Sequence, residues 1–342
     1  MRRSQDGFSL AELMISMAVM LVIAGGATTA LLKMTSAQAT LWNRTQMHSG
    51  IRGATEVLQQ EVGQAGRVAL PSTNVVLSGA VVAGTQTVGI YQCPTATACT
   101  TASVAGMFVG ERVQVDAGCF DTSNPCTSRE ETVTLTAVNT GSSQITAVFV
   151  NPHASGAPVQ VRGVFATGVV PPLVSPSTYA PSGATFTYAN GSTGNVLKLY
   201  GDVNADGNMV YVEYSCVIPA AVGGVQSPGI LYRNSMAWNA ASSAAPTPSQ
   251  ILLGNIMPNP DNSPCFTYQS QLVTGVAYVT DVAITLTVQT QLIDAVTKQF
   301  QTETKALLNV SPRNVFHAWT LASLGVANRI QPMPPSVTAL LP

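Results

Sequence analysis

One stretch of the sequence has the residue types and spacing of a calcium-binding loop. The run Asp202-Val203-Asn204-Ala205-Asp206-Gly207-Asn208, completed by Glu213, fits the pattern D-x-[DN]-x-[DN]-G-x₅-E. The oxygen ligands that Ca²⁺ prefers would come from Asp202, Asn204, Asp206, Asn208 and Glu213. The flanking residues read as strands, so the alternative is a β-hairpin whose Asp206-Gly207 turn needs a positive φ, with Glu213 pointing outward. The hairpin is the favoured interpretation, and Ca²⁺ is the cofactor that the sequence leaves open.

The sequence contains no recognisable catalytic motif. The three histidines are scattered and none has metal-ligand spacing to another His, Asp or Glu: His48, His153 and His317. There is no Gly-x-Ser-x-Gly elbow, phosphate loop or dinucleotide fingerprint. Glu130 and Glu131, beside Arg129, are predicted to form a solvated turn instead of an acid–base pair. We therefore expect no enzymatic activity.

Composition narrows the class of protein. Among 342 residues only 9% are charged, the net charge is −1 and 46% are hydrophobic. So few charges argue against a nucleic-acid platform, which must neutralise many phosphates. The high hydrophobic fraction argues against disorder. A surface built from Ser, Thr, Asn and Gln favours an extracytoplasmic, β-rich protein or an assembled subunit.

The six cysteines indicate an oxidising compartment. None is spaced as C-x-x-C, and two pairs enclose short loops. An even count in a chain with an export signal favours disulfides over free buried thiols. We predict the pairs Cys93–Cys99, Cys119–Cys126 and Cys216–Cys265, although six cysteines allow other connectivities.

The N-terminal segment can cross a membrane. From Phe8 to Leu32 the one charged residue is Glu12, and Arg2 and Arg3 precede the run. A helix over this run would be roughly 37 Å long, enough for a hydrocarbon core of about 30 Å. The leading arginines place the N-terminus in the cytoplasm. A carboxylate inside such a run is costly, so Glu12 is a candidate functional residue.

These residues resemble the N-terminus of the type IV prepilin family. The resemblance rests on Gly7-Phe8-Ser9-Leu10-Ala11-Glu12-Leu13-Met14 after a short, basic leader. It implies that a membrane prepilin peptidase cleaves between Gly7 and Phe8 and methylates the new amine of Phe8. It also implies that Glu12 serves in assembly. An uncleaved membrane anchor is the alternative.

A helix followed by many strands is the predicted architecture. No proline precedes Pro71, and residues recur at helical spacing up to the Gly66–Pro71 segment: Leu41, Thr45, His48, Ile51, Thr55, Leu58, Val62 and Ala65. The fold class is therefore α+β, with a long transmembrane and amphipathic helix packed on a β-rich globular head. The predicted parts are a leader (1–7), the helix (8–70, transmembrane over 8–32), the head (71–330, with a Cys-containing insertion at about 90–168) and an extended tail (331–342).

A more diffuse resemblance, to PilW-type minor pilins, covers much of residues 58–315. It rests on the helix end Leu58–Gly66, the Asp-Gly turn within Tyr200–Asn208, Leu231-Tyr232-Arg233, Leu252–Ile256 and a long C-terminal hairpin. The insertion at about 90–168 has no counterpart in this resemblance.

The resemblance implies a minor pilin that assembles into, or primes, a type IV pilus. The implied partners are prepilin peptidase, other major and minor pilins and the inner-membrane assembly platform, with no nucleic acid. The implied location is the inner membrane with a periplasmic head, and then the filament. A type II secretion pseudopilin shares the same N-terminus. A membrane-anchored, Ca²⁺-dependent adhesin or binding module is the alternative of another class.

Overall fold

The computed structural model describes residues 9–95, 98–119, 129–172, 191–239 and 247–340. A single long helix, α1 (Leu10–Gln64), is followed by a head made mostly of strands. The α+β class with a long N-terminal helix and a β-rich head is confirmed.

Helix α1 has an exposed half and a packed half. Its head-facing stripe consists of buried residues at helical spacing: Asn43, Ile51, Ala54, Thr55, Leu58, Glu61 and Val62. The second half of the helix therefore packs on the head, as the spacing predicts. The predicted stripe is wrong at its beginning, because Leu41, Thr45 and His48 are exposed. They lie on other faces of the helix than Asn43, which is the buried residue at that level.

The helix ends where the chain must turn sharply. Gly66 has φ +84°, a conformation that glycine adopts at little cost. The Asn314 side chain donates to the carbonyl oxygens of Gln64 and Ala65, at 2.9 and 3.3 Å. These bonds satisfy carbonyl groups that the helix itself leaves without partners. Gly168 packs directly against Gly66: a Cβ atom on Gly168 would lie 2.2 Å from the Gly66 Cα atom, so a larger residue would not fit at position 168.

The first sheet has the strand order β1-β2-β6-β5-β4-β7, with β3 also paired to β2. Its strands are β1 (Val75–Leu77), β2 (Gly84–Thr95), β3 (Ala98–Thr101), β4 (Arg112–Val115), β5 (Glu131–Asn139), β6 (Gln144–Phe149) and β7 (Val159–Val161). The sheet has its own apolar cluster, which includes Leu77, Ile90 and Leu135. It begins at Val75, so the predicted insertion boundary near 90 divides it. The boundary was misplaced because β2, rich in Gly, Gln and Thr, gave no strand signal.

The second sheet has the order β13-β14-β12-β11-β10-β9, with β15 also paired to β14. Its strands are β9 (Val196–Gly201), β10 (Val210–Val217), β11 (Gly229–Ala237), β12 (Ile251–Met257), β13 (Phe266–Val273), β14 (Val276–Gln289) and β15 (Thr302–Val310). One face forms a cluster with α1, in which Leu58 and Val62 meet Tyr214 and Leu231. The second sheet is therefore the platform that holds the helix.

The C-terminal region is not the extended tail that the prolines predicted. Strand β8 (Val164–Phe165) pairs in parallel with β16 (Ile330–Gln331), and helix α2 (Arg313–Ser323) precedes this pair. Helix α3 (Pro335–Leu340) follows. The tail prediction is wrong because Pro335 occupies the first position of a helix, where its missing N–H costs nothing.

Two disulfides match predicted pairings. Cys93–Cys99 joins β2 to β3, and Cys216–Cys265 joins β10 to the residue before β13. Cys216 and Cys265 are both buried in the cluster shared with α1. The third predicted pair stays a prediction, because Cys126 lies outside the described residues.

A buried carboxyl group predicts a pH-dependent stability. Glu111 is 0% exposed, and its Oε1 atom has no hydrogen-bond partner within the described structure. Burial raises the pKa of Glu111 from 4.5 to about 8. Between these values the folded chain holds a proton that the unfolded chain releases, so stability falls as pH rises through this window. The slope is at most about 1.4 kcal/mol per pH unit.

We therefore expect Glu111→Gln to melt above the wild type at pH 8, with the difference shrinking towards pH 5. Thermal unfolding across this pH range measures it. The same change at exposed Glu56 is the control and should give no such trend. A difference that stays constant from pH 5 to pH 8 would contradict this assignment.

Candidate functional site

The first half of α1 presents an apolar surface to its surroundings. Among the described residues, α1 is a helix long and apolar enough to cross a membrane, and its most apolar stretch is not buried against the head. Several of its large side chains are more than 60% exposed: Leu10, Met14, Ile15, Met20, Leu21, Val22, Ile23, Leu31 and Leu32. Such a surface requires lipid or other helices around it.

Glu12 lies in the first turn of this helix. Ser9 is the N-cap, with an extended backbone, and its Oγ atom accepts the Glu12 N–H at 3.2 Å. A Ser followed three residues later by Glu is the capping-box pattern. The Glu12 side chain is exposed at the N-terminal end of the apolar run, where a negative charge is favoured by the helix dipole. The predicted cleavage residues Gly7 and Phe8 lie outside the described residues.

A buried ion pair attaches the other end of α1 to the head. Glu61 accepts two hydrogen bonds from Arg233 Nε, at 2.9 and 3.1 Å, and a third from the same guanidinium group. The Tyr214 hydroxyl donates to Glu61 Oε2 at 2.5 Å. Burial, together with the Glu61 charge, raises the pKa of Tyr214, so this phenol stays neutral and keeps donating. We call Glu61, Tyr214 and Arg233 the helix clamp, because one helix residue binds two adjacent strands.

Asp202 lies in a hairpin loop that supports the end of the helix. Its carboxylate is fully buried and accepts the backbone N–H groups of Asp206 and Gly207, at 3.0 and 3.3 Å. Arg67, just beyond α1, places its Nε atom 3.4 Å from the same carboxylate. The strands β9 and β10 pair on either side, and Gly207 has φ +87°. The hairpin interpretation is therefore confirmed.

Glu213 takes no part in this loop. It lies on β10 opposite Lys198, and its carboxylate accepts the Tyr211 hydroxyl at 3.0 Å. Asn204, Asp206 and Asn208 remain in the hairpin loop, and no cluster of three or more His, Cys, Asp or Glu residues suited to a metal occurs in the described parts of the chain. The strand register places Glu213 beside Lys198 and Tyr211, away from Asp202, so the twelve-residue spacing does not bring this carboxylate to the loop.

A buried histidine network was missed at the level of sequence. His153 Nδ1 lies 2.6 Å from Asp116 Oδ2, and His153 Nε2 lies 3.2 Å from Glu131 Oε2. Glu131 also accepts the backbone N–H groups of Val150 and Asn151, at 2.6 and 2.7 Å. The predicted solvated turn is therefore wrong for Glu131, which is buried. The His153 ring is fully buried too, so the network ties strands of the first sheet together and offers no access to a substrate.

The remaining histidines are peripheral. His48 on α1 contacts Glu303 on β15. His317 on α2 is exposed. Neither belongs to the helix clamp.

Comparison with known proteins identifies the N-terminal segment. Residues 2–28 match the prokaryotic N-terminal methylation motif. Searches of curated proteins and of solved structures found no match. The chain thus carries the motif of type IV pilin-like proteins, a class that includes the pseudopilins, and the part of this motif within α1 lies on the exposed apolar half of that helix. It implies processing by a prepilin peptidase and fits membrane anchoring through this helix.

Proposed function

We propose that the protein is a minor pilin-like subunit, which assembles into or primes a type IV pilus after cleavage by prepilin peptidase. The observation that carries the proposal is a methylation motif on a helix whose apolar half is unpacked and whose other half is bound to a folded head. Such a subunit can exchange lipid for neighbouring helices without changing the head. A pseudopilin of a type II secretion system would use the same helix in the same way.

The head supports the finer, PilW-like assignment. Two separated segments of that resemblance meet in the helix clamp: Glu61 from the helix end and Arg233 from the Leu-Tyr-Arg strand. The Asp-Gly hairpin and the long C-terminal hairpin of that resemblance are formed by β9–β10 and β14–β15. The proposed partners are other major and minor pilins and the inner-membrane assembly platform. In the proposed topology the N-terminus is cytoplasmic and the head periplasmic.

Processing of the leader tests this proposal. In cells that contain the peptidase, we expect the mature protein to begin with a methylated Phe8 and Gly7→Leu to retain the whole leader. Gly7 has no side chain to obstruct the approach of the peptidase to the scissile bond. Mass spectrometry of the purified chains measures both results.

Gln5→Leu is the matched control, since it introduces the same bulk within the leader but away from the cleaved bond. It should be processed normally. An intact leader on the wild-type chain in the presence of the peptidase would overturn the proposal.

A further inference from the structure

The loop between β14 and β15, residues 290–301, carries an apolar surface that the head does not use. Leu292, Ile293, Val296 and Phe300 are 65%, 54%, 67% and 46% exposed. Four large apolar side chains in one loop form an exposed patch, and such patches mark contacts with another surface.

The loop is held in shape by an internal network. Asp294 accepts the backbone N–H groups of Val296 and Thr297, at 2.8 and 2.7 Å, and the Gln301 side-chain amide at 2.8 Å. The backbone N–H of Thr297 first, and that of Val296 after it, lower the pKa of Asp294. The acidic side chain is thus directed into the loop while the apolar side chains project outward.

The loop lies at the end of the head nearest the apolar half of α1. Asn43 Nδ2 donates to the Leu292 carbonyl oxygen at 2.9 Å, and the Thr40 side chain lies near enough to Asp294 to help lower the pKa of that carboxyl. Further along, Arg44 contacts Gln301. Strand β15 then follows α1, and its end lies beside residues 59–64 of the helix. Several hydrogen bonds join α1 to the head in the described part of the chain. Among them, the bond from Asn43 to this loop lies nearest the apolar run of the helix.

The position of this loop along the helix corresponds to a membrane surface. Residues 13–32, between Glu12 and Lys33, would span about 30 Å, which equals the hydrocarbon thickness. Thr40 would then lie about 10 Å beyond Lys33, and each headgroup layer is about 5–8 Å thick. The apolar side chains of loop 290–301 project further towards the bilayer, and a transmembrane helix is usually tilted by about 20°. Together these bring the side chains to the level of the headgroups.

Trp42 is exposed at the same level. Its side chain is 74% exposed, and helical side chains lean towards the N-terminal end of their helix. Successive residues are about 100° apart around a helix, so Trp42 projects about 200° away from Thr40. Apolar side chains therefore occur on two opposite sides of α1 at one height. Tryptophan is enriched at membrane–water interfaces.

We propose that loop 290–301 and Trp42 form a membrane-seating surface, which rests the head on the anionic lipid headgroups of the bilayer that α1 spans. The exposed side chains of Lys298 and Arg44 add positive charge at this height. A bilayer surrounds the helix on every side, whereas a second subunit would cover one side, so the two-sided patch favours lipid. The inference rests on membrane insertion of α1, which the proposed function requires. Seating fixes the orientation of the head before assembly, and it must be released when the subunit enters a filament.

Fluorescence quenching by brominated lipids tests the contact. The reporter chain is full-length protein with Phe300→Trp in a Trp42→Phe background, inserted into vesicles of phosphatidylethanolamine and phosphatidylglycerol. We expect its fluorescence to fall when the lipids carry bromine near the headgroup. The parent chain without Phe300→Trp should show no such fall.

Charge variants sharpen the test. Adding Leu292→Asp and Val296→Asp to the reporter chain should abolish the quenching without changing the melting temperature of the head. The matched control, Val82→Asp and Val150→Asp, alters residues that are 61% and 75% exposed but belong to the region of the first sheet. It should leave the quenching intact.

Each outcome decides the proposal. Quenching that persists at a low protein-to-lipid ratio supports seating on lipid. Quenching that appears only at a high protein-to-lipid ratio would assign the surface to a second copy of the chain and overturn the proposal. An unquenched reporter on a chain that floats with the vesicles would overturn seating while anchoring stands. A chain that does not float with them would overturn both.

Discussion

Replacing Glu61 with Ala is expected to loosen α1 from the head and to destabilise the folded chain by about 3 kcal/mol. Removing one partner of a buried ion pair costs about 3–5 kcal/mol, and the partial exposure of Arg233 places this case at the lower end. The Tyr214 hydroxyl loses its acceptor as well, which adds to the cost. Denaturant unfolding of the full chain in detergent measures the loss.

Glu56 provides the matched control for this prediction. It lies on the same helix and pairs with Arg52 at 2.7 Å, but both side chains are more than 60% exposed. Glu56→Ala should therefore cost no more than about 0.5 kcal/mol. Equal effects of Glu61→Ala and Glu56→Ala would show that apolar packing alone holds the helix.

The clamp has a consequence for assembly. A subunit whose helix joins a bundle presents its head at an angle set by the contacts between helix and head. Glu61 fixes this angle because Tyr214 on β10 and Arg233 on β11 bind it from two adjacent strands. We expect Glu61→Gln, which keeps the shape but removes the charge, to fall between the wild type and Glu61→Ala in stability.

Local signals in the sequence were sufficient for several elements. The helix was predicted from the absence of proline before Pro71, and its end from Gly66. Both predictions hold because glycine and proline determine the backbone conformation at their own positions. The Asp206-Gly207 pair gave the β9–β10 hairpin for the same reason. Helix α2, which directly follows the long C-terminal hairpin, was not predicted.

Contacts between residues far apart in the chain could not be predicted from the sequence. His153 meets Asp116 and Glu131 across 37 and 22 residues, and Tyr214 meets Glu61 across 153. Each depends on strand register, which one chain without relatives does not reveal. The same limit applies to Glu213: a twelve-residue spacing would place it at a calcium loop, whereas the strand register places it opposite Lys198.

We expect the Glu12→Gln chain to be cleaved and inserted into the membrane normally. Its incorporation into filaments should fall at least about tenfold below that of the wild type. In a lone subunit the carboxylate lies in the first turn of α1, where capping by Ser9 and the helix dipole favour it. Within a filament it would be surrounded by apolar helices, where an unpaired charge costs about 3–5 kcal/mol. The methylated amine of Phe8 on a neighbouring subunit is the cation that can compensate it.

Glu12→Gln keeps the size and much of the hydrogen bonding of Glu12, so it tests the charge itself. The carboxylate of one subunit disappears while the amine of its neighbour stays charged, and one tenfold step corresponds to about 1.4 kcal/mol. Glu56→Gln makes the same chemical change on the same helix beyond the apolar run and should assemble normally. The measurement is the ratio of variant to wild-type chain in sheared filaments, against equal amounts in membranes. Incorporation of Glu12→Gln at the wild-type level would mean that apolar helix packing recruits the subunit without an ion pair, as expected for a tip subunit that lacks the neighbour on one side.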